Sequence, residues 1–176
     1  MTNFIFFLFL SLLDEYFEGV PVCQVITKSE NQDAVEIGFR TLLQEAEEAV
    51  QNIKILTSDL SHSFVNGYVA ALGKPVISIK CAWHLMRAWR KKLSKSNPEL
   101  LNKISKLRLL PFEEDFNVLY NKIVEEFKTT EDGKYFEEQY GWNGKTSPPS
   151  EWSRAFTRGC VPDNLAIERY ELKIVF

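Results

Sequence analysis

The chain has 176 residues, 45% of them hydrophobic and 26% charged, with a formal net charge of −3. That length holds one domain with a sizeable core and leaves little for a second, and the composition excludes disordered, collagen-like and fibrous classes. Three widely spaced cysteines (Cys23, Cys81 and Cys160) argue against a disulfide framework and for a reducing compartment, nucleus or cytosol, rather than secretion.

The first element is the run FIFFLFLSLL at Phe4–Leu13. No lysine or arginine precedes it, and no small-x-small cleavage site follows before Asp14 and Glu15. It is about half the roughly twenty apolar residues that a membrane-spanning helix needs, so a buried strand is expected and no membrane partner. Val20–Thr27 is a second β-like run, and DEYFEG between the two reads as the turn of an antiparallel hairpin. Pro21 is tolerable near the start of a strand or on a sheet edge.

Ser29-x-x-Gln32 has the spacing of a capping box and predicts a helix from Asn31 to Val50. Val35, Phe39, Leu42, Leu43 and Ala46 fall on its apolar face, and Glu36, Arg40, Gln44 and Glu47 on the other. A short strand at Ile53–Leu56 runs into Thr57-Ser58-Asp59, and a helix over Ser61–Leu72 stops at Gly73. Pro75–Cys81 reads as a strand and Ala82–Ser96 as a helix. That helix should bury Ala82, Leu85, Met86, Trp89 and Leu93 and expose a stripe of His84, Arg87 and Lys91.

From Asn97 the pattern is helical and polar, with an amphipathic stretch at Pro111–Lys128, a Gly/Pro/Ser-rich break at Gly141–Ser150 and a terminal helix containing Asn164–Lys173. Strands alternating with helices after an opening hairpin predict an α/β fold with a mixed sheet, part antiparallel and part parallel.

The charge is unevenly spread. Between Lys80 and Arg108 nine basic residues face Glu99 alone, a formal +8 that leaves −11 on the rest of the chain. A positive stretch of that length suits a polyanion, although short charge runs are usually only solvated helix faces. His84, Arg87, Arg90, Lys91, Lys92 and Lys95 are the candidate nucleic-acid contacts.

In open α/β sheets ligands gather beyond the carboxyl ends of the parallel strands, where Asp59 and Cys81-x-x-His84 fall. An aspartate there is often only a helix cap. Cys81 and His84 alone cannot complete a four-coordinate zinc site, so a structural cysteine and a surface histidine are expected.

Leu-Thr-Ser-Asp-Leu at Leu56–Leu60, followed by KCAWHLMRAWRKKL at Lys80–Leu93, resembles the core of Mutator-like element transposases. LLDEYFEGVPV at Leu12–Val22 is similar to that family's hairpin. EWSRAFTRG at Glu151–Gly159 and DNLAIERY at Asp163–Tyr170 are similar to its downstream segments. The resemblance covers nearly the whole chain, and the Trp-His to Trp-Arg-Lys run is its most specific part.

The resemblance implies a ribonuclease H-like core at residues 1–96, a helical insertion at 97–150 and a glutamate-bearing terminal region at 151–176. It also implies DNA as the partner, assembly with further copies, and an Asp-Asp-Glu site for Mg2+ or Mn2+. Asp59 matches the second catalytic aspartate and Glu168 the glutamate, and hard oxygen ligands suit those ions.

Departures accompany it. The family's first aspartate lies on a strand before the hairpin and Asp14, in the turn, does not match it. Glu171 stands where a histidine is common, and Ala155 where a cysteine is common. With the first strand missing from the middle of the sheet, Phe4–Leu13 and Ile53–Leu56 are expected to carry unpaired backbone edges and to promote self-association. The resemblance therefore implies a transposase-derived DNA-processing domain, catalytically incomplete by itself. The alternatives are a non-catalytic nucleic-acid-binding module and a decayed transposon fragment.

Overall fold

The structure is a computed structural model that describes residues 6–13, 19–28, 31–158 and 171–175. The fold is mixed α/β. Two compact units divide it, Met1–Ile79 with Ala166–Phe176, and Lys80–Leu165.

The expected antiparallel hairpin forms. Strand β1 (Phe6–Leu13) pairs antiparallel with β2 (Gly19–Thr27), from Phe6↔Thr27 to Leu13↔Gly19. Its register shifts at Leu10/Ser11, where Cys23 and Pro21 are the successive partners and Val22 is passed over. Proline has no N–H to give the ladder, so a bulge beside it on an edge strand disturbs the sheet least. Beyond the bulge β2 alternates cleanly: Cys23 and Val25 pack on the core, while Val22 and Ile26 are exposed.

Helix α1 (Gln32–Glu45) starts at Asn31, whose side chain accepts the Ala34 N–H at 3.1 Å. Ser29, the expected start of a capping box, lies outside the described residues, and the N-cap is Asn31. Helix α1 ends at Ala46, and α2 (Glu47–Gln51) continues as a separate short helix, so the single long helix expected to Val50 is broken. Ala46, placed on the apolar face by its spacing, is exposed. Val35 and Phe39 are fully buried, and Glu36 pairs with Arg40 at 2.8 Å on the outer side.

Strand β3 (Ile55–Ser58) lies two residues later than expected. Helix α3 (Ser63–Leu72) ends at Gly73 with φ 69°, the left-handed C-terminal position that glycine takes without strain. Helices α1, α2 and α3 and strand β3 contribute to one core of Val35, Phe39, Val50, Ile53, Leu56, Phe64, Tyr68 and Ala71. Phe39 meets Tyr68 edge to face at 5.1 Å. Strand β4 (Ile77–Lys80) flanks β3, with Ile77 N–H donating to the Lys54 carbonyl at 3.2 Å.

The far end of the chain corrects two expectations. Residues Glu171–Val175 form a strand, β5, where a helix through Lys173 is expected. That strand enters the middle of the sheet, whose order is β2-β1-β5-β3-β4. It runs parallel to β1 (Phe9↔Glu171 to Leu12↔Ile174) and antiparallel to β3 (Ile55↔Val175 to Thr57↔Lys173). The edges of β1 and β3 are therefore paired, not open. Unsatisfied backbone groups on two flanking strands are a strong demand, and an extended β-branched segment answers it better than a helix end does.

The second unit is helical over its described residues: α4 (Ala82–Leu93), α5 (Pro98–Leu109), α6 (Glu113–Phe127), α7 (Glu131–Tyr140), α8 (Pro149–Trp152) and α9 (Arg154–Thr157). Its core is aromatic. Trp89 of α4 takes edge contacts from Phe136, Tyr140 and Trp152 at 6.2, 5.6 and 5.4 Å. The buried Trp152 indole N–H donates to the Tyr140 and Ser147 carbonyls, which satisfies its polar atom. No described helix is long and apolar enough to cross a membrane.

Candidate nucleic-acid interface

Helix α4 carries the surface. Its period sends Leu85, Trp89 and Leu93 inward, and all three are fully buried. Ala82 and Met86 are partly buried on the same side. The outer face presents Trp83, Arg87, Arg90 and Lys91, each exposed, at spacings of three and four residues. Lys92 and Lys95 are exposed as well, with the Lys92 ammonium 5.2 Å from the Tyr135 ring centre. Among the described residues none of Arg87, Arg90, Lys91, Lys92 or Lys95 forms an ion pair.

The positive charge available to a partner is smaller than the sequence count. Lys80 is buried, its side chain shut from solvent and 3.9 Å from Glu151 Oε2. The Ser147 hydroxyl donates to the same carboxylate oxygen at 3.1 Å. Lys103 is held by Glu126 and Glu99, and hydrogen bonds to those carboxylates raise its pKa. Both lysines are engaged in internal pairing. The solvent-facing charge is concentrated on the outer side of α4 and its continuation to Lys95.

His84 is half-buried, and its ring meets the Trp83 ring edge-on at 4.8 Å. It therefore packs beside the exposed stripe, not on it. Trp83 takes the place that spacing assigned to His84. The Arg87 guanidinium lies over the indole, 5.1 Å from its centre, and Trp83 is 44% exposed. The signal was present in the sequence: Trp83 stands four residues before Arg87 and six before the buried Trp89, on the polar side of the helix. A large aromatic is ordinarily assigned to the core, and that preference hid it.

Asp59 follows β3 and is half-buried. Its Oδ1 accepts the Ser61 N–H at 2.7 Å, and the Ser58 hydroxyl donates to the Asp59 carbonyl at 3.1 Å. This is an Asx turn leading into α3, the local role that aspartate often plays ahead of a helix. Among the described residues no three His, Cys, Asp or Glu side chains stand together as metal ligands. Glu168 lies outside the described residues. Asp59 thus offers one carboxylate with one oxygen already engaged, and the described residues do not by themselves fit Mg2+ or Mn2+. Cys81 is buried at the N-cap of α4, in keeping with a structural cysteine.

Comparison of the chain with protein-family models, with curated proteins and with solved structures finds no match.

Proposed function

We propose that the chain is a DNA-binding domain of transposase-type, ribonuclease H-like ancestry that engages DNA through the outer face of α4. The observation that carries this reading is the exposed set Arg87, Arg90, Lys91, Lys92 and Lys95, none of which forms an ion pair among the described residues. Cations held on one rigid helix present several charges to successive phosphates, and the counterions they release drive association. The buried side of α4 supports the reading by fixing the helix: Trp89 and Leu93 lock its rotation, so the cations point outward together. The resemblance of Lys80–Leu93 to the transposase core supplies DNA as the polyanion, and the widely spaced cysteines suit a reducing compartment, nucleus or cytosol. Assembly with further copies is part of the same proposal.

In this reading Asp59 forms the turn that leads into α3.

The test is binding of the full chain to a labelled duplex across a salt series. Affinity should fall steeply with salt. Replacing Arg87 and Lys91 together by alanine should lower the slope of log affinity against log salt by about one unit for each phosphate no longer neutralised. A slope unchanged by that double replacement places the binding surface elsewhere, and no measurable binding ends the proposal.

A further inference from the structure

We infer that Trp83 and Arg87 form a stacking site for an unpaired base, so that the surface on α4 prefers single-stranded nucleic acid over duplex. The inference rests on the nucleic-acid reading of that face and adds what the face selects.

Trp83 is 44% exposed, on a helix whose core contacts are made by the fully buried Leu85, Trp89 and Leu93. Hydration of an indole face is unfavourable, and solvent-facing positions are ordinarily filled by small or charged residues. Here the indole sits within the cationic row, one turn before Arg87 and two before Lys91. Aromatic rings interleaved with cations are what a single strand requires, since each nucleotide offers a π face and a phosphate side by side. In a duplex the bases are stacked on each other, and a ring on a helix surface cannot reach their faces.

The two side chains divide the work. Without a ligand the Arg87 guanidinium covers the indole at 5.1 Å, a weak attraction at an exposed site. It occupies the ring face that a base would take. A nucleotide would exchange these partners: the base takes the indole face and the guanidinium moves to the adjoining phosphate, where a charge-assisted hydrogen bond is stronger. The His84 ring, edge-on at 4.8 Å, supports the indole from beside it. Each group ends with a better partner than it began with.

The experiment uses the full chain and compares a labelled oligothymidylate of about twenty nucleotides with a duplex of the same length. The parent chain should bind the single strand more tightly, with quenching of tryptophan fluorescence. Trp83→Ala should weaken single-strand binding about tenfold and duplex binding less than about twofold, the loss expected of one base stack. Trp83→Phe should keep most of the affinity, while losing the quench that Trp142→Phe retains. An oligouridylate arm separates the two sources of unpaired strand: tighter binding of either polymer names DNA or RNA as the preferred one, and both outcomes support the stack.

Equal losses on single strand and duplex, or no loss on either, overturn the inference while the duplex-binding proposal stands. Failure of the parent chain to bind either probe removes both. Because Trp83 is on the surface, circular dichroism of each variant should match the parent, and a loss of helix would assign Trp83 to the fold instead.

Discussion

A Cβ placed on Gly67 would lie 2.6 Å from the Val35 Cβ, so α3 and α1 meet at a point where only hydrogen fits. The backbone carbonyl of Gln32 would be 2.9 Å away on the same side. In an exposed helix, glycine to alanine is worth about 1 kcal/mol in favour of alanine. Here overpacking against a β-branched side chain and a carbonyl costs about 1–3 kcal/mol. Gly67→Ala should therefore lower the denaturant midpoint, and a rise in midpoint would show the α1–α3 approach to be looser.

Ile174 is paired on both sides, to Leu12 of β1 and Leu56 of β3. Ile174→Pro removes a backbone donor from a central strand, where proline is poorly tolerated. The neighbouring edges would then be open templates for other chains. Sedimentation should show the parent less self-associated than this variant. Identical behaviour of the two would mean that β5 does not seal the sheet.

Tyr120 donates to Glu137 Oε2 at 2.5 Å from a buried ring. Tyr120→Phe removes a hydrogen bond to a charged acceptor, worth about 1.5–3 kcal/mol. Chemical denaturation followed by far-ultraviolet circular dichroism should show that loss, and a variant as stable as the parent would place the carboxylate in solvent.

Burial, followed by the Glu137 hydrogen bond, pushes the Tyr120 phenol up. Burial, followed by Tyr135, does the same for Tyr140, and burial alone raises Tyr68. Unfolded phenols ionise near about pH 10 while these three hold their protons to higher pH. The unfolded state then releases more protons, so the contribution to stability is complete below about pH 10 and declines as pH rises above it. Absorbance of tyrosinate should rise in two stages, the later coinciding with loss of circular dichroism. A single early stage would show the three phenols to be accessible.

Asp59→Ala should cost about 1–2 kcal/mol through loss of the Ser61 turn bond, and Asp59→Asn should retain most of it. Duplex cleavage with Mg2+ or Mn2+ should be no greater for the parent than for Asp59→Ala. Cleavage that depends on Asp59 would return the residue to a catalytic role.

Much of the local structure was legible in the sequence. The β-like run Val20–Thr27, the apolar face of α1, the stop at Gly73 and the buried Leu85, Trp89 and Leu93 all depend on neighbours within a turn or a strand pair, which is the range over which spacing carries information. The cationic face of α4 was legible for the same reason, although the ordinary core preference of tryptophan concealed Trp83.

What only the tertiary structure decided is long-range pairing. The β-branched pair Ile174 and Val175 permits a strand but does not by itself select one over a helix end. The unpaired backbones of β1 and β3 select it, and they lie far away along the chain. The fate of Lys80 is of the same kind, because a basic residue counts toward a surface only if no distant carboxylate folds against it, and Glu151 does. Charge can be tallied along a sequence, but whether it faces solvent or a partner depends on which segments the fold brings together.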